Sequence, residues 1–117
     1  MNQTTLTTVV RKPQPNIGII DIQGDVTGFA ENILMDAFSQ ASNGSTKAIL
    51  LNFSGLDYMN SSGIGLLVTL LIRTQRQKQK LMACGLSAHY EEIFKLTRLN
   101  EAIAIYANES DALAAFS

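Results

Sequence analysis

The chain alternates between two hydrophobic periods, and that alternation constrains its fold more than any other feature. Residues 5–10 and 17–22 carry the two-residue period of strands. The Lys12-Pro13-Gln14-Pro15-Asn16 segment between them is turn-forming and short, so a hairpin is expected. Ala30, Ile33, Leu34, Ala37, Phe38 and Ala41 then follow the spacing of an amphipathic helix. Thr27 or Gly28 can cap its start, and Asn43-Gly44 offers a left-handed residue at its end. Residues 47–53 form a short, nearly continuous apolar run, as in a strand covered on both faces. A helix over 62–77, a strand over 80–84 closed by Gly85, and a third helix capped by Ser87 follow. Tyr90, Ile93, Phe94 and Thr97 share a face of that helix. A last strand over 102–106 precedes a helix capped by Asn108 or Ser110 that carries Leu113 and Phe116. The order β-β-α-β-α-β-α-β-α implies an α/β fold with a mostly parallel central sheet and right-handed crossovers.

Its 117 residues suit a single domain spanning 1–117, and 46% apolar content is enough for a core without staples. Cys84 is the only cysteine, so no internal disulfide can form, which suits a reducing, cytoplasmic setting. The polar, threonine-rich start lacks the pattern of a signal peptide. The most apolar stretch, residues 64–72, is far shorter than the ~20 residues that span a bilayer, so no direct membrane insertion is expected.

Catalytic chemistry is hard to assemble from these residues. His89 is the only histidine, so a metal site would rest on scattered carboxylates. His89 reads as a surface residue and Cys84 as a small apolar one. Gly63-Ile64-Gly65 lacks the third glycine of a dinucleotide fingerprint, and no Walker motif is present. Glu91 and Glu92 are adjacent and point about 100° apart on a helix, so they cannot act as a pair. The basic cluster Arg73, Arg76, Lys78 and Lys80 fits the negative end of a helix dipole. It has none of the interleaved aromatics that single-strand binding uses, so nucleic acid is not an expected partner. Neither enzyme activity nor a cofactor is expected.

The informative segment runs from Leu56 through Asp57, Tyr58, Met59, Asn60, Ser61 and Ser62 to Gly63. It leaves the carboxyl end of the central strand, where open α/β sheets place their sites. Asn60 and Ser61 are both good cap types, and a phosphate is stabilised at a helix start. In the helix, Ile64, Leu67, Val68, Leu71 and Ile72 read as the core stripe. Leu66 and Leu70 fall outside that stripe, which predicts that they face solvent and belong to a partner surface.

The run from Asn52-Phe53-Ser54-Gly55 through Asn60-Ser61-Ser62-Gly63 to Ile64-Gly65-Leu66-Leu67 resembles the signature of STAS domains, the anti-sigma-factor antagonists and their relatives. Gly24-Asp25-Val26-Thr27, Ile93 to Leu99 with Ile103, and Asp111-Ala112-Leu113 extend the resemblance almost end to end. The resemblance implies partner switching. The unphosphorylated antagonist binds an anti-sigma factor that is also a serine kinase, phosphorylation breaks the complex, and a PPM-type phosphatase restores it. By position the phosphoacceptor is Ser61, with Ser62 beside it a weaker candidate. Asp25, Thr27, Asn60, Ser61, Ser62, Gly63, Leu66 and Leu70 are the expected partner-binding set. Asn60 stands where the family usually has aspartate, and Thr27 where many members have an acid. The alternative within the family is a non-switching adaptor, such as a scaffold or the soluble subunit of a lipid-transport ABC system. A small-ligand binder is a third class, without a phosphate-binding loop to support it.

Overall fold

A computed structural model describes residues 6–116; Thr5, where the sequence puts the start of the first strand, lies outside the described residues. The elements are β1 (Leu6–Gln14), β2 (Ile17–Val26), α1 (Glu31–Ala41), β3 (Ala48–Met59), α2 (Ser61–Arg76), β4 (Lys80–Cys84), α3 (Ala88–Leu96), β5 (Ala104–Tyr106) and α4 (Glu109–Phe116). Short 3-10 helices at Gly28–Ala30 and Leu99–Glu101 precede α1 and β5. The five strands lie in the order β1-β2-β3-β4-β5. Only the β1–β2 hairpin is antiparallel; the other pairs are parallel. The expected α/β order and mostly parallel sheet are therefore present. Pro13 is tolerated because β1 is an edge strand.

Side-chain alternation divides the core into two layers. Ile20, Ile22, Ile49, Leu51, Phe53 and Leu81 face one side, which α1, α2 and α3 cover with Leu34, Phe38, Leu67, Leu70 and Phe94. Ile17, Ile19, Leu50, Met82 and Cys84 face the other, where α4 packs Ala112, Leu113 and Phe116. Phe53 and Phe94 meet edge to face at 6.2 Å, joining β3 to α3.

Several expected boundaries differ: β1 runs on to Gln14, into the segment read as a turn, β2 runs on to Val26, and the last strand begins at Ala104, after a 3-10 turn. The first helix ends at Ser42 in extended backbone, and neither Asn43 nor Gly44 is left-handed. Asn43 instead turns the chain with its side chain, whose Oδ1 accepts from the Ser45 amide at 2.8 Å. The central strand runs on to Met59, where the sequence suggested a loop after residue 53. Ser54 and Gly55 look like strand breakers, yet β2 continues to Val26 and supplies ladder partners as far as Met59. Between Asp21 and Gln23 of β2 the partners on β3 are Asn52 and Gly55, and between Gly24 and Asp25 they are Leu56 and Tyr58. Both offsets are bulges on β3. Bulges bend a strand and re-aim its side chains, and Asp57 and Tyr58 are both exposed in succession.

The α4 layer is tied down by an ion-pair network. Arg11 donates Nε and Nη2 to the Asp21 carboxylate, both at 2.7 Å, and Nη2 to Glu109 Oε1 at 2.7 Å. Asn52 donates to Asp21 Oδ1 at 2.8 Å. The Arg11 hydrogen bonds hold the Asp21 carboxyl below its usual range, against the opposing effect of burial. In acid the unfolded chain therefore binds the Asp21 proton first, and stability rises with pH. The contribution is full above the ordinary aspartate pKa of about 3.9 and lost as pH falls through the lowered native value. Asp21→Asn should lower the melting temperature at neutral pH by a few degrees, on the order of 1 kcal/mol or less with solvent screening. It should also flatten the acid limb of a melting-temperature profile; an unchanged limb would show that the pair adds nothing.

Candidate functional site at the start of helix α2

Three chain segments meet where α2 begins. Asn60 is the N-cap, in extended backbone, and its Oδ1 accepts from the Gly63 amide at 3.0 Å. The Asn60 amide donates to Val26 O at 3.3 Å, and the Ile64 amide to Asn60 O at 3.0 Å. The helix start is thus stitched to the end of β2. Gly63 makes that approach possible, since a Cβ there would lie 2.0 Å from Val26 O and 2.8 Å from Val26 C. Behind the strand end, the Met59 amide donates to Tyr90 Oη at 2.9 Å, which fixes the approach from the α3 side.

The second segment is the β2–α1 turn. Thr27 Oγ1 accepts from the Phe29 amide at 3.3 Å and caps the short 3-10 helix. The turn lies against α2: a Cβ built on Gly28 would sit 3.5 Å from Ser62 Cβ. The structure therefore brings Thr27, Asn60, Ser62 and Gly63 to one place around Ser61. Asp25 lies opposite Tyr58 in the β2–β3 ladder.

Ser61 and Ser62 are both exposed. Ser61 is the first helical residue, and its hydroxyl has no hydrogen-bond partner among the described residues. With Asn60 as the cap, the Ser61 side chain is left free at the positive end of the helix dipole. Exposed Phe29 and Tyr58 flank it, at 77% and 50% relative exposure. Neither stands out from hydropathy or spacing: Phe29 precedes the α1 stripe, and the exposure of Tyr58 follows from the bulges on β3.

Leu66 and Leu70 are not exposed. Both are buried, Leu70 completely, and pack with Leu67 against the sheet. Val68 and Ile72, read as core, lie on the solvent side at 39% and 45% exposure. The helix is rotated by roughly 100°, or one residue, from the orientation the apolar stripe suggested. Its inward face is Gly63, Leu66, Leu67, Leu70 and Thr74. The two leucines therefore leave the partner-binding set.

A STAS domain model matches residues 8–112. The chain belongs to the STAS domain family. Among solved structures, 94% of this STAS chain matches 92% of an anti-sigma factor antagonist from Mycobacterium paratuberculosis, with 18% identity and a TM-score of 0.79. A further 95% match covers all of the Bacillus cell fate determinant SpoIIAA in its phosphorylated form, at 20% identity and a TM-score of 0.73. The fold also recurs inside a membrane protein: 96% of the chain matches 22% of the murine Slc26a9 anion transporter, at 12% identity and a TM-score of 0.75. At these identities the likeness is one of fold.

Elsewhere the STAS chain offers little chemistry. His89 is exposed and stacks edge-on with Tyr90 at 4.8 Å. Burial pushes the Cys84 thiol up to about 11, which keeps it protonated and unreactive. The described residues contain no group of three His, Cys, Asp or Glu side chains placed to hold a metal, and enclose no pocket. Among them, no helix is long and apolar enough to cross a membrane.

Proposed function

We propose that this STAS chain is an anti-sigma-factor antagonist of the partner-switching kind, with Ser61 as its phosphoacceptor. The observation that carries the reading is the exposed, unbonded Ser61 hydroxyl on the first residue of α2, next to a cap that leaves it free. Unphosphorylated, the chain docks on a cytoplasmic anti-sigma factor that is also an ATP-dependent serine kinase. The docking face includes the Thr27–Phe29 turn, Asp25, Asn60, Ser62, Tyr58 and the outward side of α2 at Val68 and Ile72. In the transfer, Ser61 Oγ bonds to the γ-phosphorus of ATP, ADP leaves, and the hydroxyl proton passes to the kinase. The phosphate gains the helix dipole and nearby backbone amides, so it is stabilised where it forms. It also adds nearly two negative charges to the docking face, which opposes rebinding. A PPM-type phosphatase hydrolyses it and resets the switch. Asn60 supports the acceptor role, because it caps as aspartate would without placing a negative charge beside the phosphate.

The test is incubation with ATP and candidate kinases, followed by mass mapping. Label is expected on Ser61, absent in Ser61→Ala and retained in Ser62→Ala. Because Asn60 and not Ser61 is the cap, Ser61→Ala should change stability by less than about 0.5 kcal/mol. Label on Ser61→Ala equal to wild type would remove the assignment. A chain that binds its partner but takes no label from any kinase would favour the adaptor reading.

A further inference from the structure

The ends of the sheet carry opposite charge. No Asp or Glu occurs in residues 1–20, 37–56 or 58–90. The turns at the amino ends of β2, β3 and β4 fall within those stretches; the turn before β5 carries Glu101, paired with Arg98 at 3.0 Å, and Asp25, Glu31, Asp57, Glu109 and Asp111 gather near the opposite end, with Ser61. The amino end of β2, β3 and β4 holds Lys12, Lys47, Arg73, Arg76, Lys78 and Lys80. The fold brings them together. The Lys80 amide donates to Lys47 O at 2.8 Å, and Lys80 pairs with Ala48 across β3 and β4. Gln79 of the α2–β4 connection donates to Ser42 Oγ at 2.7 Å. Lys12 reaches across to Ala41 O at 2.9 Å and neutralises the carbonyl end of α1. Lys47, Arg73, Arg76, Lys78 and Lys80 are exposed, and none forms an ion pair among the described residues.

We propose that this basic end is a second interaction surface, one that docks on an anionic phospholipid membrane. Across 42–47 and 73–80 the exposed side chains are cations and uncharged polar groups. A specific protein interface needs an apolar or aromatic centre, and single-strand binding needs stacking aromatics; those two stretches have neither, and Ile72, exposed just before Arg73, is a lone apolar side chain at their edge. A plane of anionic headgroups needs only clustered cations. The geometry fits the rest of the molecule. Helix α2 runs from Ser61 at one end to Arg76 at the other, and its 16 residues span roughly 24 Å. Docked by its basic end, the chain holds Ser61 away from the lipid and open to a soluble kinase.

Co-sedimentation with vesicles tests this. The chain should sediment with equal parts phosphatidylcholine and phosphatidylglycerol, not with phosphatidylcholine alone, and should release as salt rises. Each cation near such a surface contributes about five-fold in partitioning, so the double variant Arg76→Gln, Lys78→Gln should bind about thirty-fold more weakly. Ser61→Ala should bind as wild type does, which separates this surface from the switch. Three results would overturn the proposal: no sedimentation with anionic vesicles, a double variant that binds undiminished, or tighter binding of a DNA duplex or a polyglutamate peptide than of the vesicles.

Discussion

Gly63→Ala is expected to cost at least about 3 kcal/mol, while Gly65→Ala two residues on is expected to stabilise the chain by about 0.5–1 kcal/mol. Both glycines lie in α2, where glycine is a poor helix former, so propensity alone favours alanine at each. Space separates them. A Cβ on Gly65 meets nothing within 4 Å, and the residue is exposed. A Cβ on Gly63 would stand 2.0 Å from Val26 O and 2.9 Å from Met59 Cγ. The first of these is backbone in a paired strand and cannot swing away. The helix start must move by more than an ångström or the ladder at Val26–Met59 must open. Either change also breaks the Asn60–Val26 stitch that positions Ser61. Denaturant midpoints of the two variants should shift in opposite directions. A Gly63→Ala midpoint equal to wild type would mean that α2 does not seat on β2 as described.

The same helix shows where sequence reading stops. Element order, the Asn60 and Ser87 caps, the strand at Lys80–Cys84 and the position of Ser61 are set by local signals: period, cap chemistry and turn residues. Those signals act within a few residues, so one chain displays them. The orientation of α2 is not local. Its apolar residues fill two overlapping stripes, Ile64-Leu67-Val68-Leu71-Ile72 and Leu66-Leu67-Leu70, and hydropathy prefers the longer one. The residue that decides is Gly63, which has no hydropathy to contribute and acts by admitting a neighbouring carbonyl. The length of β3 was hidden for a related reason. Ser54 and Gly55 read as breakers because the strand that extends past them on β2 is a tertiary partner. The Arg11–Glu109 bond joins residues 98 apart in sequence and leaves no local trace. Of the candidate site, the Asn60 cap was legible, because capping is local, whereas the choice of Ser61 came from the family resemblance. Its flanking aromatics were not, since the exposure of Tyr58 depends on bulges.

Leu70→Ala should therefore destabilise the chain by about 3–4 kcal/mol, whereas Ile72→Ala should cost under about 1 kcal/mol. Leu70 is fully buried in the core layer between α1, α2 and the sheet, so truncation removes transfer energy and leaves a cavity. Ile72 is 45% exposed and loses little contact when shortened. Helix propensity adds slightly in favour of alanine at both positions, more so for the β-branched isoleucine, which widens the gap between them. The comparison is sharp because the apolar stripe read from sequence orders the two residues the other way, with Ile72 inside and Leu70 outside. Urea unfolding of the two variants decides between the orientations. A Leu70→Ala midpoint near wild type with a large loss in Ile72→Ala would rotate α2 back by about one residue. That rotation would return Leu66 and Leu70 to the proposed docking face and withdraw Val68 and Ile72 from it. The expected order keeps Val68 and Ile72 on the solvent face of α2, where the proposed docking would use them beside Ser61.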